Sequence, residues 1–214
     1  HNIFSPEDAE KMLAEGNADF VALGRSQLAD PAWAKKAKEG RASDIKPCIN
    51  CLIGCIDRGM LSHTPIHCTV NPSLYRFECK PVEKAETRKQ VAVVGAGPTG
   101  CEAALTASKR GHQVTIYEKR CIGGAMIEAS KPENKANIKR LIHYYEDHIM
   151  HDPNITLVKK EVEYETLVHR GYDAVIIAVG GKTRILNVPG IEKNSVIYAS
   201  DYLNGSTAVT GNTV

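Results

Sequence analysis

The chain has 214 residues, enough for one or two domains with an apolar core. Its 27 basic and 25 acidic side chains leave a net charge of +2, which argues against a nucleic-acid-binding protein, because such proteins carry clustered basic surface. No run of about 18 apolar residues predicts a membrane-spanning helix, so we expect neither nucleic acid nor membrane among its partners.

A helix and a short strand open the chain. Ser5 is a suitable N-cap with Pro6 at the first helical position, which predicts a helix over residues 6–16. The apolar run that follows predicts a buried strand over residues 20–23. Because this α/β unit does not repeat, we interpret residues 1–45 as the end of a larger domain.

The middle of the chain is irregular. Prolines interrupt residues 30–77, and grouped cysteines define a cluster segment over residues 46–78. The single tryptophan, Trp33, is interpreted as a core or interface packing residue. Residues 79–89 are charged and poor in apolar side chains, which predicts a surface linker.

Four of the seven cysteines are grouped in the pattern C-x2-C-x3-C-x12-C, formed by Cys48, Cys51, Cys55 and Cys68. Such a compact loop can wrap an iron–sulfur cluster, which needs thiolate ligands. On spacing alone, a structural zinc ion, a redox-active CxxC pair and incidental buried thiols remain alternatives. We interpret the other cysteines as ordinary thiols: Cys79, Cys101 and Cys121. Because no secretory signal is visible at the N-terminus, grouped cysteines favour metal or redox chemistry and a cytoplasmic location.

Residues 90–214 form a second organised region in which strands and helices alternate. Segments rich in valine, isoleucine and other strand-forming residues predict strands over residues 91–94, 113–117, 155–158 and 172–179. Helical periodicity predicts helices over residues 98–110 and 136–149. This alternation predicts an α/β fold with a doubly wound parallel sheet of the Rossmann-like, dinucleotide-binding kind.

A glycine-rich loop joins the first of these strands to its helix. The motif G-x-G-x-x-G is formed by Gly95, Gly97 and Gly100. These glycines supply the tight turn, the close approach to a pyrophosphate and the helix–strand packing, respectively. Pro98 and Thr99 begin the helix, whose N-terminus offers free amides and a positive dipole to the phosphates. Glu118 ends the next strand, where a carboxylate can accept hydrogen bonds from ribose hydroxyls.

Three further features favour FAD over NAD. Pro98 within GAGPTG and the stretch Ile122-Gly123-Gly124 are features of FAD-binding reductases. The later segment YDAVIIAVGGKTRILNVPG is similar to the strand and turn that close the FAD lobe of those enzymes. Gly180 would let the backbone approach the cofactor there, although an ordinary turn at the end of a strand is the alternative.

Four stretches taken together, ADFVALGRSQLADPAW, PCINCLIGC, HCTVNP and VAVVGAGPTGCEAA, resemble the multidomain flavin reductases related to old yellow enzyme. This family includes 2,4-dienoyl-CoA reductase, 2-enoate reductases, bile-acid oxo-reductases and trimethylamine dehydrogenase. The resemblance covers nearly the whole chain. It implies an FMN-bearing (β/α)8 barrel with the substrate site, then a 4Fe–4S cluster, then an FAD domain into which an NAD(P)H domain is inserted.

The resemblance also implies roles for individual residues. Gly24 and Arg25 match the Gly-Arg pair that binds the FMN phosphate at the end of the last barrel strand. The cluster ligands match the four grouped cysteines. The FAD contacts match the glycine loop together with Glu118, Lys119, Gly124, Ala125, Lys135, Val162 and Gly180. No catalytic residue is implied within this chain.

The chain departs from the family pattern in several places. Cys101 stands where the family has a small or aliphatic residue, and Ala125 stands where several relatives have a polar one. Trimethylamine dehydrogenase carries ADP in the FAD site, so a bound ADP is an alternative. Only the last helix and strand of the barrel match, and the chain stops where an NAD(P)H domain would begin. We therefore expect an internal segment of a protein roughly three times longer, inactive by itself.

The resemblance predicts an NAD(P)H-dependent oxidoreductase of the enoate or dienoyl reductase type. Electrons would pass from NAD(P)H to FAD, to the 4Fe–4S cluster, to FMN and then to an activated C=C bond of a small-molecule substrate. The alternatives are an electron-transfer subunit like the small subunit of a glutamate synthase, an amine dehydrogenase and a zinc-stabilised NAD-binding module. The sequence leaves open the substrate, the choice between NADH and NADPH, and the oligomeric state.

Overall fold

The computed structural model describes residues 3–74 and 82–209. The first part contains helices Pro6–Ala14 (α1), Arg25–Ala29 (α2) and Trp33–Lys38 (α3), the 3-10 turn Ala42–Asp44 and the π-helix Ile53–Leu61. The second part contains strands Gln90–Val94 (β1), Gln113–Tyr117 (β2), Ile155–Val158 (β3) and Ala174–Ile177 (β4). Its helices are Pro98–Lys109 (α4), Met126–Ala129 (α5), Ala136–Met150 (α6), Tyr164–His169 (α7) and Ala199–Asn204 (α8), with a 3-10 turn at Glu133–Lys135.

The four strands form one parallel sheet in the order β3-β2-β1-β4. The predicted parallel α/β architecture is therefore confirmed. The glycine loop follows the carboxyl end of β1, which is an inner strand of the sheet. The last strand is shorter than predicted, since β4 ends at Ile177 and begins after Tyr172. Tyr172 therefore lies just before the strand, where its hydroxyl forms a hydrogen bond of 2.8 Å with the hydroxyl of Tyr117.

The sheet is covered by helices on one face and crossed by a connection on the other. Val93 and Ile116 are fully buried on the first face, in the core that also holds side chains of α4 and α6. Tyr117, the next residue along β2, points to the opposite face, where its ring meets that of Tyr172 in an edge-to-face contact. The connection from β3 to β4 therefore crosses the second face, as a doubly wound sheet requires.

The N-terminal segment contains one confirmed helix and one wrong prediction. Ser5 caps α1 in a capping box with Asp8, as the sequence predicts for a helix start. The predicted strand over residues 20–23 does not form, because a strand needs a neighbour for its backbone hydrogen bonds and the described residues supply none there. Val21 and Leu23 pack instead against a small cluster around Trp33, whereas Phe20 is 89% exposed.

The cysteine segment packs onto the α/β sheet domain. Cys48 and Val70 belong to the same apolar core as Val91 and Val93 of β1. The described part of the charged segment, residues 82–89, is mostly exposed, whereas Cys79 lies outside the described residues. Within the ranges described above, no helix is long and apolar enough to cross a membrane.

Candidate functional site

The glycine loop is fixed by close backbone contacts at its first and third glycines. Gly95 has φ +99°, a left-handed conformation, and a Cβ built on it would lie 2.4 Å from the carbonyl oxygen of Ala178. A Cβ on Gly100 would lie 1.9 Å from the carbonyl oxygen of Gly95. Side chains are therefore excluded at both positions by the protein itself, before any ligand is considered.

The second glycine is different. Gly97 is the N-cap of α4 with φ −71°, and a Cβ there would meet only the Cα of Gly124, at 4.0 Å. Gly124 has φ +52°, and its own Cβ would lie 2.9 Å from the Cα of Gly97. The backbone amide of Gly123 donates to the carbonyl of Ala96 over 2.8 Å. The glycine loop and the loop after β2 thus meet backbone to backbone in front of the α4 N-terminus.

Glu118 connects these two loops to the end of β2. Its Oε2 accepts a hydrogen bond from the Ala96 amide, and its Oε1 accepts one from the Arg120 amide, each over 2.8 Å. Each carboxylate oxygen has a second lone pair, so the side chain can hold the loop and still accept a hydroxyl donor.

A groove of about 190 Å3 lies beside Glu118 at the carboxyl ends of the strands. It is lined by the predicted residues Gly95, Glu118, Lys119 and Val162. Lys119 also makes an exposed ion pair with Glu161, over 2.9 Å. Because ligand pockets for whole cofactors usually measure about 300–1,000 Å3, this groove suits one end of a dinucleotide.

The remaining predicted cofactor contacts lie outside this groove. Pro98 and Thr99 are exposed on the first turn of α4, and Ala125 is exposed as the N-cap of α5. Gly180 is exposed just after β4 with φ +75°. Lys135 is exposed at the end of a 3-10 turn before α6 and is not among the residues lining the groove.

The four grouped cysteines surround one small cavity. Cys48 is buried and the other three are half-buried, and all four line it: Cys48, Cys51, Cys55 and Cys68. Among the residues described, no three His, Cys, Asp or Glu side chains are close enough to hold a single metal ion. The structure nevertheless places all four predicted ligands around one cavity.

Local backbone geometry brings the fourth cysteine to the other three. Leu52 takes a left-handed conformation with φ 62° and begins the π-helix, a rare element that often occurs at functional sites. Gly54 accepts a hydrogen bond from the His67 amide over 2.8 Å. A Cβ on Gly54 would lie 2.4 Å from the His67 carbonyl oxygen, so only glycine lets Cys68 come this close.

Burial controls the state of two of these thiols. Burial raises the pKa of Cys48, partly offset by the Asn50 amide and by the charge of Arg25. Burial likewise raises the pKa of Cys68. Both thiols are therefore protonated at neutral pH in the metal-free chain, and binding a metal would release their protons.

Gly24 and Arg25 lie at the start of α2, next to the cysteine cavity. Arg25 is half-buried, lines the cavity and donates to the side chain of Asn50. The backbone amide of Asn50 donates a hydrogen bond to the sulfur of Cys48, over 3.4 Å. The predicted phosphate ligand is thus placed where it also reaches the cysteine loop.

Cys101, the departure from the family pattern directly after the glycine motif, is a packing residue. It is fully buried, and its thiol donates to the Ala96 carbonyl over 3.2 Å. Burial raises its pKa to about 12, so it stays a neutral thiol.

Several residues that line the groove were not predicted from the sequence motifs. Tyr117, Lys160, Glu161 and Val179 line the groove beside the predicted contacts. The signal that could have found them is topological. All strands of a parallel sheet end at one edge, so the residues after β2, β3 and β4 gather there.

The parallel sheet, the glycine loop and the acid at the strand end define a Rossmann-like dinucleotide-binding domain. Residues 89–209 match the pyridine nucleotide-disulphide oxidoreductase family. The chain belongs to this family of oxidoreductases.

Individual relatives extend the match to the N-terminal segment. An NADH oxidase of Thermoanaerobacter brockii is 41% identical over 96% of this chain and 32% of its own length. A cinnamate reductase of Clostridium sporogenes is 34% identical over 92% of this chain and 30% of its own length. The solved structure of a 2-naphthoyl-CoA reductase complex superposes with a TM-score of 0.87 and 35% identity, over 96% of this chain and 31% of that one.

These relatives confirm the resemblance to the enoate and 2,4-dienoyl-CoA reductase family. The chain spans about a third of their length.

Proposed function

We propose that this chain is the iron–sulfur and FAD-binding part of an NAD(P)H-dependent flavin reductase. The observation that carries the proposal is that a cavity lined by four thiols and a dinucleotide loop are built on one shared core. Two cofactor sites on one packed body suit electron transfer between them.

The geometry of the glycine loop supports the binding of FAD. The amides at the α4 N-terminus and the open space at Gly97 would receive the pyrophosphate, and Glu118 would accept the ribose hydroxyls. When bound, FAD accepts a hydride from NAD(P)H and releases electrons singly. The family match over residues 89–209 supports this assignment.

We assign the thiol cavity to a multi-iron cluster rather than to a structural zinc ion. All four thiols line one cavity, and Cys48 belongs to the same core as the dinucleotide-binding sheet. A cluster at this position would exchange single electrons with a flavin, whereas a zinc ion has no redox chemistry. Cys48, Cys51, Cys55 and Cys68 would hold a 4Fe–4S cluster, which relays single electrons.

The other end of the electron path is a flavin and a substrate. We propose that Gly24 and Arg25 bind the phosphate of FMN, as a guanidinium next to a helix start would. Cinnamate and 2-naphthoyl-CoA, after which two of the similar reductases are named, are unsaturated carbon compounds with an adjacent carboxylate or thioester. The substrate class we propose is therefore an activated C=C bond. The matches to a cinnamate reductase and a 2-naphthoyl-CoA reductase cover 92% and 96% of this chain, so they extend upstream of the cysteines and favour this reading over a glutamate synthase subunit.

Anaerobic reconstitution with iron, sulfide and FAD tests the proposal. Cys55→Ser is the better ligand variant, because Cys48 also packs in the main core. We expect it to lose iron and sulfide while keeping FAD. Cys121→Ser removes an exposed thiol outside the cavity and should keep both. A chain that binds zinc but no iron, or a Cys55→Ser variant with unchanged iron content, would contradict the cluster assignment.

A further inference from the structure

A largely shielded ion pair joins the cysteine segment to the helix of the glycine loop. Lys46 Nζ lies 2.7 Å from Glu102 Oε2, and the two side chains are 12% and 27% exposed. Lys46 precedes Cys48 by two residues, and Glu102 follows Gly100 by two. The pair therefore connects the two candidate cofactor sites directly.

Aromatic side chains of α6 hold both members of the pair. The Tyr145 hydroxyl donates to the same Glu102 oxygen over 3.1 Å. Lys46 Nζ lies 5.6 Å from the ring centroid of Tyr144 and 5.9 Å from that of Tyr145, within the range of a cation–π interaction. The ion pair thus has one geometry, set by three elements of the chain.

The backbone of Lys46 is fixed as well. Its amide donates to Oδ2 of Asp30 over 2.9 Å, and the same oxygen receives Lys36 Nζ over 2.6 Å. Asp30 is only 5% exposed. Lys46 is therefore anchored at its amide by the N-terminal segment and at its ammonium by α4.

A shielded ion pair contributes little net stability compared with an apolar pair of similar volume, because desolvation offsets the attraction. Such a pair can instead fix the position of the two chain segments that carry its side chains relative to each other. We propose that Lys46 and Glu102 are positioning residues that set the placement of the cluster loop relative to the FAD-binding helix. The inference rests on the proposed function, in which reduced FAD gives one electron at a time to the oxidised cluster.

The consequence is that loss of the pair slows electron transfer without emptying either site. The ligands of the cluster and the contacts of the FAD are all other residues. A purely structural ion pair would behave differently, since its removal would change stability and leave the transfer rate of the loaded protein unaltered.

The test uses the 214-residue chain loaded with both cofactors. Lys46→Met and Glu102→Gln are made singly and together. Lys11→Met is the matched control, because Lys11 pairs with Glu15 at 3.8 Å on the exposed face of α1. Three quantities are measured: unfolding by urea, iron and flavin content, and the rate at which the cluster is reduced after anaerobic photoreduction of FAD by deazaflavin with EDTA as electron donor.

We expect Lys46→Met to lose stability, because the largely shielded Glu102 carboxylate loses its cationic partner and keeps only the Tyr145 hydroxyl, and we expect the double variant to recover it. With both cofactors at wild-type content, the double variant should transfer electrons about tenfold more slowly, equivalent to about 1.4 kcal/mol in the barrier. The control should match the wild type. An unchanged rate in the loaded double variant, or loss of either cofactor from it, would overturn the inference alone. A wild-type chain without cluster or FAD would overturn the proposed function as well.

Discussion

Replacing Gly100 by alanine gives a sharp test of the glycine loop, because two effects of known sign oppose each other. Gly100 lies in α4, where alanine is favoured over glycine by about 1 kcal/mol. The new Cβ would, however, lie 1.9 Å from the Gly95 carbonyl oxygen, so the backbone must move by about 1.1 Å to reach the 3.0 Å limit of real contacts. Overpacking of this kind costs about 1–3 kcal/mol, and backbone on both sides favours the upper value. We therefore expect a net loss of about 2 kcal/mol.

Gly97→Ala is the matched control within the same motif. Its Cβ would meet nothing closer than 4.0 Å, and its φ of −71° suits any residue. Urea unfolding of the cofactor-free chain, followed by far-ultraviolet circular dichroism, measures both variants through their midpoints at constant slope. Gly97→Ala should unfold like the wild type but bind FAD weakly, whereas Gly100→Ala should unfold early. A Gly100→Ala chain as stable as the wild type would refute the steric reasoning.

Four further predictions concern Glu118, Cys101 and Phe20. Glu118→Gln should weaken FAD binding by about 1–3 kcal/mol in a titration of the cofactor-free protein, because a charged acceptor of ribose hydroxyls is lost; an unchanged Kd would make Glu118 a loop clamp only. Cys101, with its pKa raised to about 12 by burial, should resist iodoacetamide at pH 8 while the exposed Cys121 reacts. Above the pKa of a free thiol, about 8.5, the unfolded chain can ionise Cys101 whereas the folded chain cannot, so folding loses stability as pH rises from about 8.5 towards 12. The loss is at most about 1.4 kcal/mol per pH unit, and Cys101→Ala should remove this part of the pH dependence. Phe20→Ser should change the unfolding free energy by less than about 0.5 kcal/mol, since this ring is exposed, and a larger loss would show that it is packed in solution.

Short-range signals account for the parts of the fold that the sequence predicts well. The bounds of β2 and β3 agree with the strands predicted over residues 113–117 and 155–158, because both segments are rich in β-branched residues, which favour strands. The start of α4 agrees because Pro98 fixes the first helical residue.

Long-range contacts account for what the sequence does not predict. Residues 20–23 have strand composition, yet composition cannot supply the neighbouring strand that a ladder needs. The π-helix and the contact of Gly54 with the His67 backbone follow from how two distant loops meet. The ion pair of Lys46 with Glu102 joins residues 56 positions apart, and neither residue belongs to the cysteine pattern or to G-x-G-x-x-G.

The contacts of Gly95 have a bearing on how such chains diverge in evolution. The carbonyl of Ala178 and a φ of +99° exclude every side chain at Gly95, whether or not a nucleotide is bound. A descendant that had lost its cofactor would still keep this glycine, because selection for folding alone preserves it. The fold does not require glycine at position 97, because a Cβ there has room. Substitutions at Gly97 would therefore be expected in descendants that no longer bind the ligand.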